Sequence, residues 1–500
     1  MASALRLLLV LAPLAAPAAS AGLGFDFHHR FSDPVRRFVE AHGGGGGGAA
    51  SWPGKGTAEY YSALARHDRG RSLPELSFAD SNATFRISQL GFLHYAIVAL
   101  GTPNVTFLVA LDTGSDLFWV PCDCRQCAPT TSPSYGDIRF DIYSPSSSST
   151  SQTVSCSNSL CDRSQSSCSG ANSTCPYSVR YVSSNTSSSG VLVEDVLYFT
   201  TENTAVPQIV AARVVFGCGQ VQTGSFLDGA APNGLFGLGM ENISVPSILY
   251  NQGHTSNSFS MCFGDDGFGR INFGDNGSTG QQETPFVIDR SLPYYAIGIT
   301  GIVVGNSSIK TSFRAVIDSG TSFTYLADPM YTELVQSFNS QVQDQPSNPD
   351  PRIPFEYCYD VSPNQDAIVT PNISFTTSGG GIFPVNDPII LFTTDRESVY
   401  MYCLAVNRSD GMNIFGQNFM TGLRIVFDRE RMALGWMNFD CGNSTDTPEG
   451  PNTTPLFPVS RPPSSGSVKH KMTTRGLFAL FLILTTSVVL SSRSTWSYCS

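Results

Sequence analysis

Two carboxylic acids in this chain stand at the ends of apolar runs. Asp112 closes the first run in VALDTGSDLFWVP (109–121), and Asp318 closes the run in AVIDSGTSF (315–323). A carboxylate among such neighbours is costly unless it is hydrogen-bonded or partly protonated. Bringing the two together removes the difficulty and gives it a use. Close carboxylates cannot both ionise cheaply, so one keeps a proton that the other lacks. Such a pair is acid and base at once. One member takes a proton from water as the water attacks a carbonyl carbon, and the other protonates the carbonyl oxygen. That chemistry requires no covalent intermediate, metal or cofactor.

The flanking residues fit the same chemistry. Gly114 and Gly320 allow a tight turn with backbone amides near each carboxylate. Thr113 and Ser319 are placed to bond across the junction of the two turns, and Ser115 and Thr321 to donate to the outer carboxylate oxygens. Proton transfer needs this kind of fixed geometry on rigid elements.

A single Asp-Thr/Ser-Gly is a weak signal, since a turn aspartate explains it equally well. Its duplication is strong. Tyr95-Ala-Ile-Val returns as Tyr295-Ala-Ile-Gly, VALDTGSD as AVIDSGTS, and NGLFGLG (233–239) as NIFGQNF (413–419), all in the same order. The chain reads as two related lobes, each presenting one aspartate at the end of a strand. Short apolar runs such as HYAIVAL, TFLVALD and RVVFGCG, broken by Gly, Pro, Asn and Ser, predict a mainly β structure. The clearest helix is PMYTELVQSFNSQVQ, around Tyr331, where apolar residues recur at helical spacing.

These motifs resemble the pepsin-like aspartic proteases, and within them the nepenthesin-like plant group, over about residues 86–441. DTGSDLFWVP and IDSGTSFTYL match the two active-site motifs, and NGLFGLG and NIFGQNF match the segments that pass behind them. The resemblance implies a bilobal, mainly β fold with pseudo-two-fold related lobes, an N-terminal lobe over 86–275, a C-terminal lobe over 276–441 and a cleft between them. It implies an endopeptidase acting on protein or peptide substrates bound extended, with Asp112 and Asp318 catalytic. Tyr181, in CPYSVRY, is implied as the flap tyrosine, with Trp119 as its hydrogen-bonding neighbour. The flap tip VSSNTSSSG departs from the acidic, Gly-rich tip usual among relatives. A bridge between Cys358 and Cys403 is likewise implied by the resemblance.

Composition sets the compartment and the excluded partners. The 500 residues are 41% hydrophobic and only 14% charged, with net charge −11 and no basic block, which argues against nucleic acid as a partner. A monomer is expected. So few cations suit an acidic medium. Residues 1–21 read as a secretory signal peptide ending at Ala19-Ser20-Ala21. Of thirteen cysteines, twelve lie in the body: Cys122, Cys124, Cys127, Cys156, Cys161, Cys168, Cys175, Cys218, Cys262, Cys358, Cys403 and Cys441. An even number in an oxidising compartment predicts disulfides, the first seven stapling a Ser-rich insertion in the N-terminal lobe. Eleven sequons, at Asn82, Asn104, Asn172, Asn185, Asn242, Asn276, Asn306, Asn372, Asn407, Asn443 and Asn452, predict a glycosylated surface.

Residues 22–85 hold four of the seven histidines and several arginines. They read as a propeptide whose cations pair with the active-site carboxylates and let go in acid. Residues 442–466 form a Pro/Ser/Thr-rich stalk. Small residues Ser464, Ser465 and Gly466, a polar spacer and an apolar run then give 467–500 the order of a lipid-anchor signal, which would hold the protein on the outer face of the plasma membrane. A short transmembrane helix and plain secretion are the alternatives, because the segment ends polar. Two further function classes stay open at this level: a binding protein on the same scaffold, resembling plant inhibitors of wall-degrading enzymes, and a glycosylated surface protein with an incidental cleft. Both acid-bearing turns are intact, which favours the enzyme.

Overall fold

The computed structural model describes residues 22–29, parts of 32–38 and 57–61, 94–441 apart from short stretches, and 468–471. Residues 1–21, most of 22–85, all of 442–466 and nearly all of 467–500, where the signal peptide, propeptide, stalk and anchor signal are expected, lie outside the described residues, together with Asn82, Asn185, Asn443, Asn452 and Ser464 to Gly466.

The chain is mostly β, built around a 14-stranded sheet and a 7-stranded sheet. In the N-terminal lobe the strand Val105–Asp112 is fully buried from Phe107 onward, as expected for a continuous apolar run covered on both faces. It lies between His94–Leu100, antiparallel with Tyr95 opposite Ala110, and Leu235–Gly237, parallel with Gly237 opposite Asp112. The C-terminal lobe repeats the arrangement. Ser307–Ile317 lies between Ala296–Val304, with Ala296 opposite Val316, and Asn413–Phe415, with Phe415 opposite Ile317. The repeat read from sequence is therefore a repeat of strand neighbours. Gly237 and Gly416 are required by close approach: a Cβ would lie 2.3 Å from the carbonyl carbon of Asp116 at the first, and 2.2 Å from the carbonyl oxygen of Phe323 at the second.

The helix expected near Tyr331 is Met330–Asn339, starting directly after Pro329. It buries Tyr331, Leu334, Val335 and Phe338, spaced three, four and seven apart along one face.

The lobes share a sheet. Ser258–Phe263 pairs with Leu423–Asp428, Ser258 opposite Asp428, and Ala433–Asn438 continues the sheet beyond. Phe259 stacks on Phe427 at 4.6 Å between ring centres, and Cys262 is bonded to Cys441. The sequence boundary at 275/276 thus separates the acid-bearing halves but not this common platform.

The leader joins the same platform. Leu23–His29 is a strand between Phe268–Phe273 and His94–Leu100, with Leu23 opposite Phe273 and His29 opposite His94. Leu23, Phe25 and Phe27 alternate along it, a period-two pattern masked by the histidines that follow. His94 is fully buried at this seam, its ring 5.7 Å from His29 and 5.0 Å from Phe27. Neither of its ring nitrogens meets a hydrogen-bond partner. Burial pushes the imidazole down to about 3, and the Gln417 amide alongside offsets only part of that. A lowered histidine stabilises the fold above its unfolded value of 6.5 and loses that contribution as pH falls toward 3. His94→Leu should gain about 3 kcal/mol over the wild type at pH 4, relative to the same comparison at pH 7.5. Thermal denaturation at the two pH values checks this, and an equal effect at both would refute it.

Six disulfides join all twelve body cysteines: Cys122–Cys218, Cys124–Cys127, Cys156–Cys168, Cys161–Cys175, Cys262–Cys441 and Cys358–Cys403. Cys156, Cys161 and Cys168 bring their sulfurs within 4.8 Å of one another, but all three are bonded in disulfides.

The tail contributes one described element. Val468–Lys471 pairs antiparallel with Ala367–Thr370, so the spacer expected to precede the apolar run adds a strand to the C-terminal lobe. No described helix is long and apolar enough to cross a membrane.

Among the described sequons, Asn104, Asn172, Asn242, Asn276, Asn306 and Asn372 are exposed. Asn407 is the correction. It is 8% exposed, and its Nδ2, the atom that would carry a sugar, is buried. The sequon is present, but strand pairing with Tyr325 closes the position.

Candidate active site

The two acid-bearing turns meet at the lobe junction and brace one another. The Thr113 amide donates to Ser319 Oγ at 3.2 Å, and the Ser319 amide donates to Thr113 Oγ1 at 2.9 Å. Each hydroxyl in turn donates across the junction, Thr113 to the Ile317 carbonyl at 3.0 Å and Ser319 to the Leu111 carbonyl at 3.2 Å. Four hydrogen bonds between buried groups fix one turn against the other. A relative slip would leave several buried donors unpaired at once.

Asp112 and Asp318 are fully buried. The Gly114 amide donates to Asp112 Oδ1 at 2.9 Å, and the Gly320 amide donates to Asp318 Oδ1 at the same distance. Ser115 Oγ donates to Asp112 Oδ2, and Thr321 Oγ1 to Asp318 Oδ2 at 2.6 Å. The inner oxygens border one small gap: a Cβ placed on Gly320 would lie 2.6 Å from Asp112 Oδ1 and 3.1 Å from Asp318 Oδ1. The two oxygens therefore lie no farther apart than those two distances together, a span that a single water can bridge.

Burial pushes the Asp112 carboxyl well above its ordinary value, and the neighbouring Asp318 charge adds to the rise. Hydrogen bonds from Ser115 and Gly114 pull the other way, and Asp116 raises it further. The arrangement holds a proton at a pH where an exposed aspartate would have lost it. A carboxyl of that kind can donate to a carbonyl oxygen while its partner accepts from water.

Two buried carboxyls on mutually braced turns are an arrangement able to exchange protons with a bound water. Residues 94–275 match a family model described as "Xylanase inhibitor N-terminal", and residues 294–438 match "Xylanase inhibitor C-terminal". Over 452 residues the chain is 48% identical to "Aspartyl protease family protein 1" of Arabidopsis thaliana, covering 88% of this chain and 86% of that protein. It belongs to the plant aspartyl protease family. "Aspartic proteinase nepenthesin-2" of Nepenthes gracilis is 28% identical, covering 69% of this chain and 77% of its own length. Crystal structures of conglutin gamma from lupine seeds (TM-score 0.55, 20% identity, 71% of this chain and 94% of that one) and of edgp (TM-score 0.57, 18% identity, 70% and 92%) share the fold.

In this aspartyl protease the two aromatics expected at a flap also meet. Trp119 Nε1 donates to the Tyr181 hydroxyl at 2.9 Å. The hairpin that carries Tyr181 pairs Pro176–Arg180 with Ser187–Val191, and the Tyr181 amide donates to the Thr186 carbonyl at 2.9 Å. Of the expected tip VSSNTSSSG, residues 182–185 lie outside the described residues, and Ser187 to Gly190 are strand. Phe226 was not singled out from sequence. It meets Trp119 at 4.7 Å and Tyr181 at 5.0 Å, edge to face with both, so three aromatics form one block. No motif surrounds Phe226, and only folding reveals it. Beside the hairpin is a cavity of about 300 Å³ lined by Leu117, Leu160, Asp162, Tyr177, Val179 and Glu241, with the Cys-rich insertion as one wall.

Tyr181→Phe removes the Trp119 partner but keeps the ring. Loss of one buried hydrogen bond of about 1 kcal/mol predicts roughly a five-fold fall in kcat/KM, measured on a peptide substrate, with circular dichroism unchanged. An unchanged kcat/KM would mean that the hydroxyl plays no part in closure.

Proposed function

We propose that this protease is an aspartic endopeptidase of the secretory route that cleaves extended protein segments at acidic pH. Water between Asp112 and Asp318 gives up a proton to one carboxylate as its oxygen bonds to the peptide carbonyl carbon, and the other carboxyl protonates the carbonyl oxygen. The proton then passes to the amine as the tetrahedral species breaks the carbon–nitrogen bond. The observation that carries this reading is the small gap shared by two buried carboxylates on mutually braced turns. Residues 1–21 as a signal peptide, the exposed sequons as glycan sites and a lipid anchor at Ser464, Ser465 or Gly466 belong to the same proposal. Anchor cleavage there would remove Val468–Lys471 and leave the Ala367–Thr370 edge open.

The test is cleavage of a denatured protein across pH 3 to 7 (roughly the range in which carboxyls titrate), with and without pepstatin. Acid-range cleavage that pepstatin blocks supports the reading. Undiminished cleavage in pepstatin refutes the dyad chemistry, and no cleavage at any pH refutes the enzyme and favours a binding protein on this scaffold. Peptide mapping of the mature protein locates the two chain ends.

A further inference from the structure

The two turns match residue for residue through Thr113 and Ser319, Gly114 and Gly320, Ser115 and Thr321. The match ends at the next position. Asp116 is 6% exposed, whereas its counterpart Ser322 is fully buried and carries no charge. Asp116 Oδ1 accepts from the Glu241 amide at 2.8 Å. The segment it holds, Leu238–Glu241, is itself bonded to the Asp112 turn: the Leu238 amide donates to the Asp112 carbonyl and the Gly239 amide to the Ser115 carbonyl, both at 2.8 Å.

The other lobe grips the same four residues. The Tyr295 hydroxyl donates to the Leu238 carbonyl at 2.8 Å. Arg429 Nη2 donates to the Met240 carbonyl at 3.1 Å and to Ser247 Oγ at 2.6 Å. Three side chains from three stretches of sequence thus converge on the backbone behind Asp112.

We propose that Asp116 is a positioning residue that clamps Leu238–Glu241 behind Asp112 and, as a third buried carboxylate on that side alone, keeps the shared proton on Asp112 and leaves Asp318 as the base. This rests on the dyad reading above and goes one step further, to which aspartate does which task. Asp318 takes a proton from water as the water oxygen bonds to the carbonyl carbon. The Asp112 proton passes to the carbonyl oxygen, giving a neutral gem-diol and leaving Asp112 ionised and Asp318 protonated. Collapse returns a diol proton to Asp112 as the Asp318 proton goes to the departing nitrogen, and the starting state is restored.

The charged and titratable groups around this point are few. Asp318 faces Asp112 across the gap, Tyr295 and Arg429 approach from the C-terminal lobe, and Glu241 lies on the clamped segment at the surface. Asp116 and Arg429 act on Tyr295 with opposite sign. The Asp116 charge also acts on Asp112, in the sense that favours its protonated form.

Two variants of the full-length secreted enzyme test the assignment. Asp116→Asn keeps an acceptor for the Glu241 amide and removes only the charge. Asp116→Ser copies the C-terminal lobe and also gives up the clamp. In both, loss of a negative charge eases ionisation of Asp112. The alkaline limb of kcat/KM against pH, where the catalytic proton is lost, should move to lower pH by about half a unit or more. Asp116→Ser should in addition show a lower kcat at every pH. A purely structural role would lower the rate without moving the limb. If the limb stays in place in whichever variants fold, the proposal is overturned. Asp112→Asn measured alongside separates the two levels: an inactive Asp112→Asn with an unmoved Asp116→Asn limb defeats only this inference, whereas an active Asp112→Asn defeats the dyad reading itself.

Discussion

Asp112→Asn should lower kcat by about 10³-fold or more and, at neutral pH, make the protein more stable. The rate falls because an amide can neither hold nor release the proton that the carbonyl oxygen needs. The gain in stability follows from the direction of the Asp112 shift. Its folded value lies well above the ordinary 3.8, so its contribution is fully present below that value. It is lost as pH rises through the folded value, because the buried carboxyl is then forced to ionise beside Asp318. Asparagine carries no such penalty: its Oδ1 still accepts from the Gly114 amide, and its Nδ2 donates to a Ser115 hydroxyl rotated to accept. The variant and the wild type should therefore denature at similar temperatures near pH 3, with the variant higher at pH 7. An active variant would end the catalytic assignment. An inactive variant that is destabilised equally at both pH values would leave the catalytic assignment standing but refute the account of Asp112 ionisation.

Gly320→Ala should cost about 10²-fold in kcat while the protein still folds. The backbone at Gly320 does not need a positive φ, so alanine is conformationally permitted and the effect is steric. Its methyl would sit 2.6 Å from Asp112 Oδ1, closer than packing tolerates, and in the gap between the carboxylates. Asp112 cannot easily retreat, because Gly114 and Ser115 hold both of its oxygens. The stability loss should be about 1–3 kcal/mol, typical of overpacking. Gly170→Ala is the matched control, since nothing lies within 4 Å of its added methyl. Comparing kcat and thermal midpoints of the two variants separates a blocked gap from a general intolerance of alanine. Wild-type kcat in Gly320→Ala would mean that the gap is not where water reacts.

Legibility from sequence followed how local each feature is. The turns at Asp112 and Asp318 were legible because the residues that shape each carboxylate are within three positions of it. The strand before Asp112 was legible from a nearly continuous apolar run, the one before Asp318 only from its last residues Ala315 to Ile317, and the Met330–Asn339 helix from its spacing. The strand at the start of the leader was not legible. The leader's histidines and arginines drew attention to charge, whereas Leu23, Phe25 and Phe27 place Leu23–His29 in the shared sheet. Asn407 carries a sequon like the others, yet strand pairing buries it.

The sequence by itself determined the two acids, the hydroxyl and glycine residues that hold them, and the duplication that gives one to each lobe. Only the tertiary structure decided how the cysteines other than Cys358 and Cys403 pair, that Phe226 backs Trp119 and Tyr181, and that Asp116, Tyr295 and Arg429 meet behind Asp112. The physical reason is separation along the chain. A turn's hydrogen bonds are written in consecutive residues, whereas Arg429 reaches the Met240 carbonyl across 189 positions, and strand register and lobe packing alone bring them within reach.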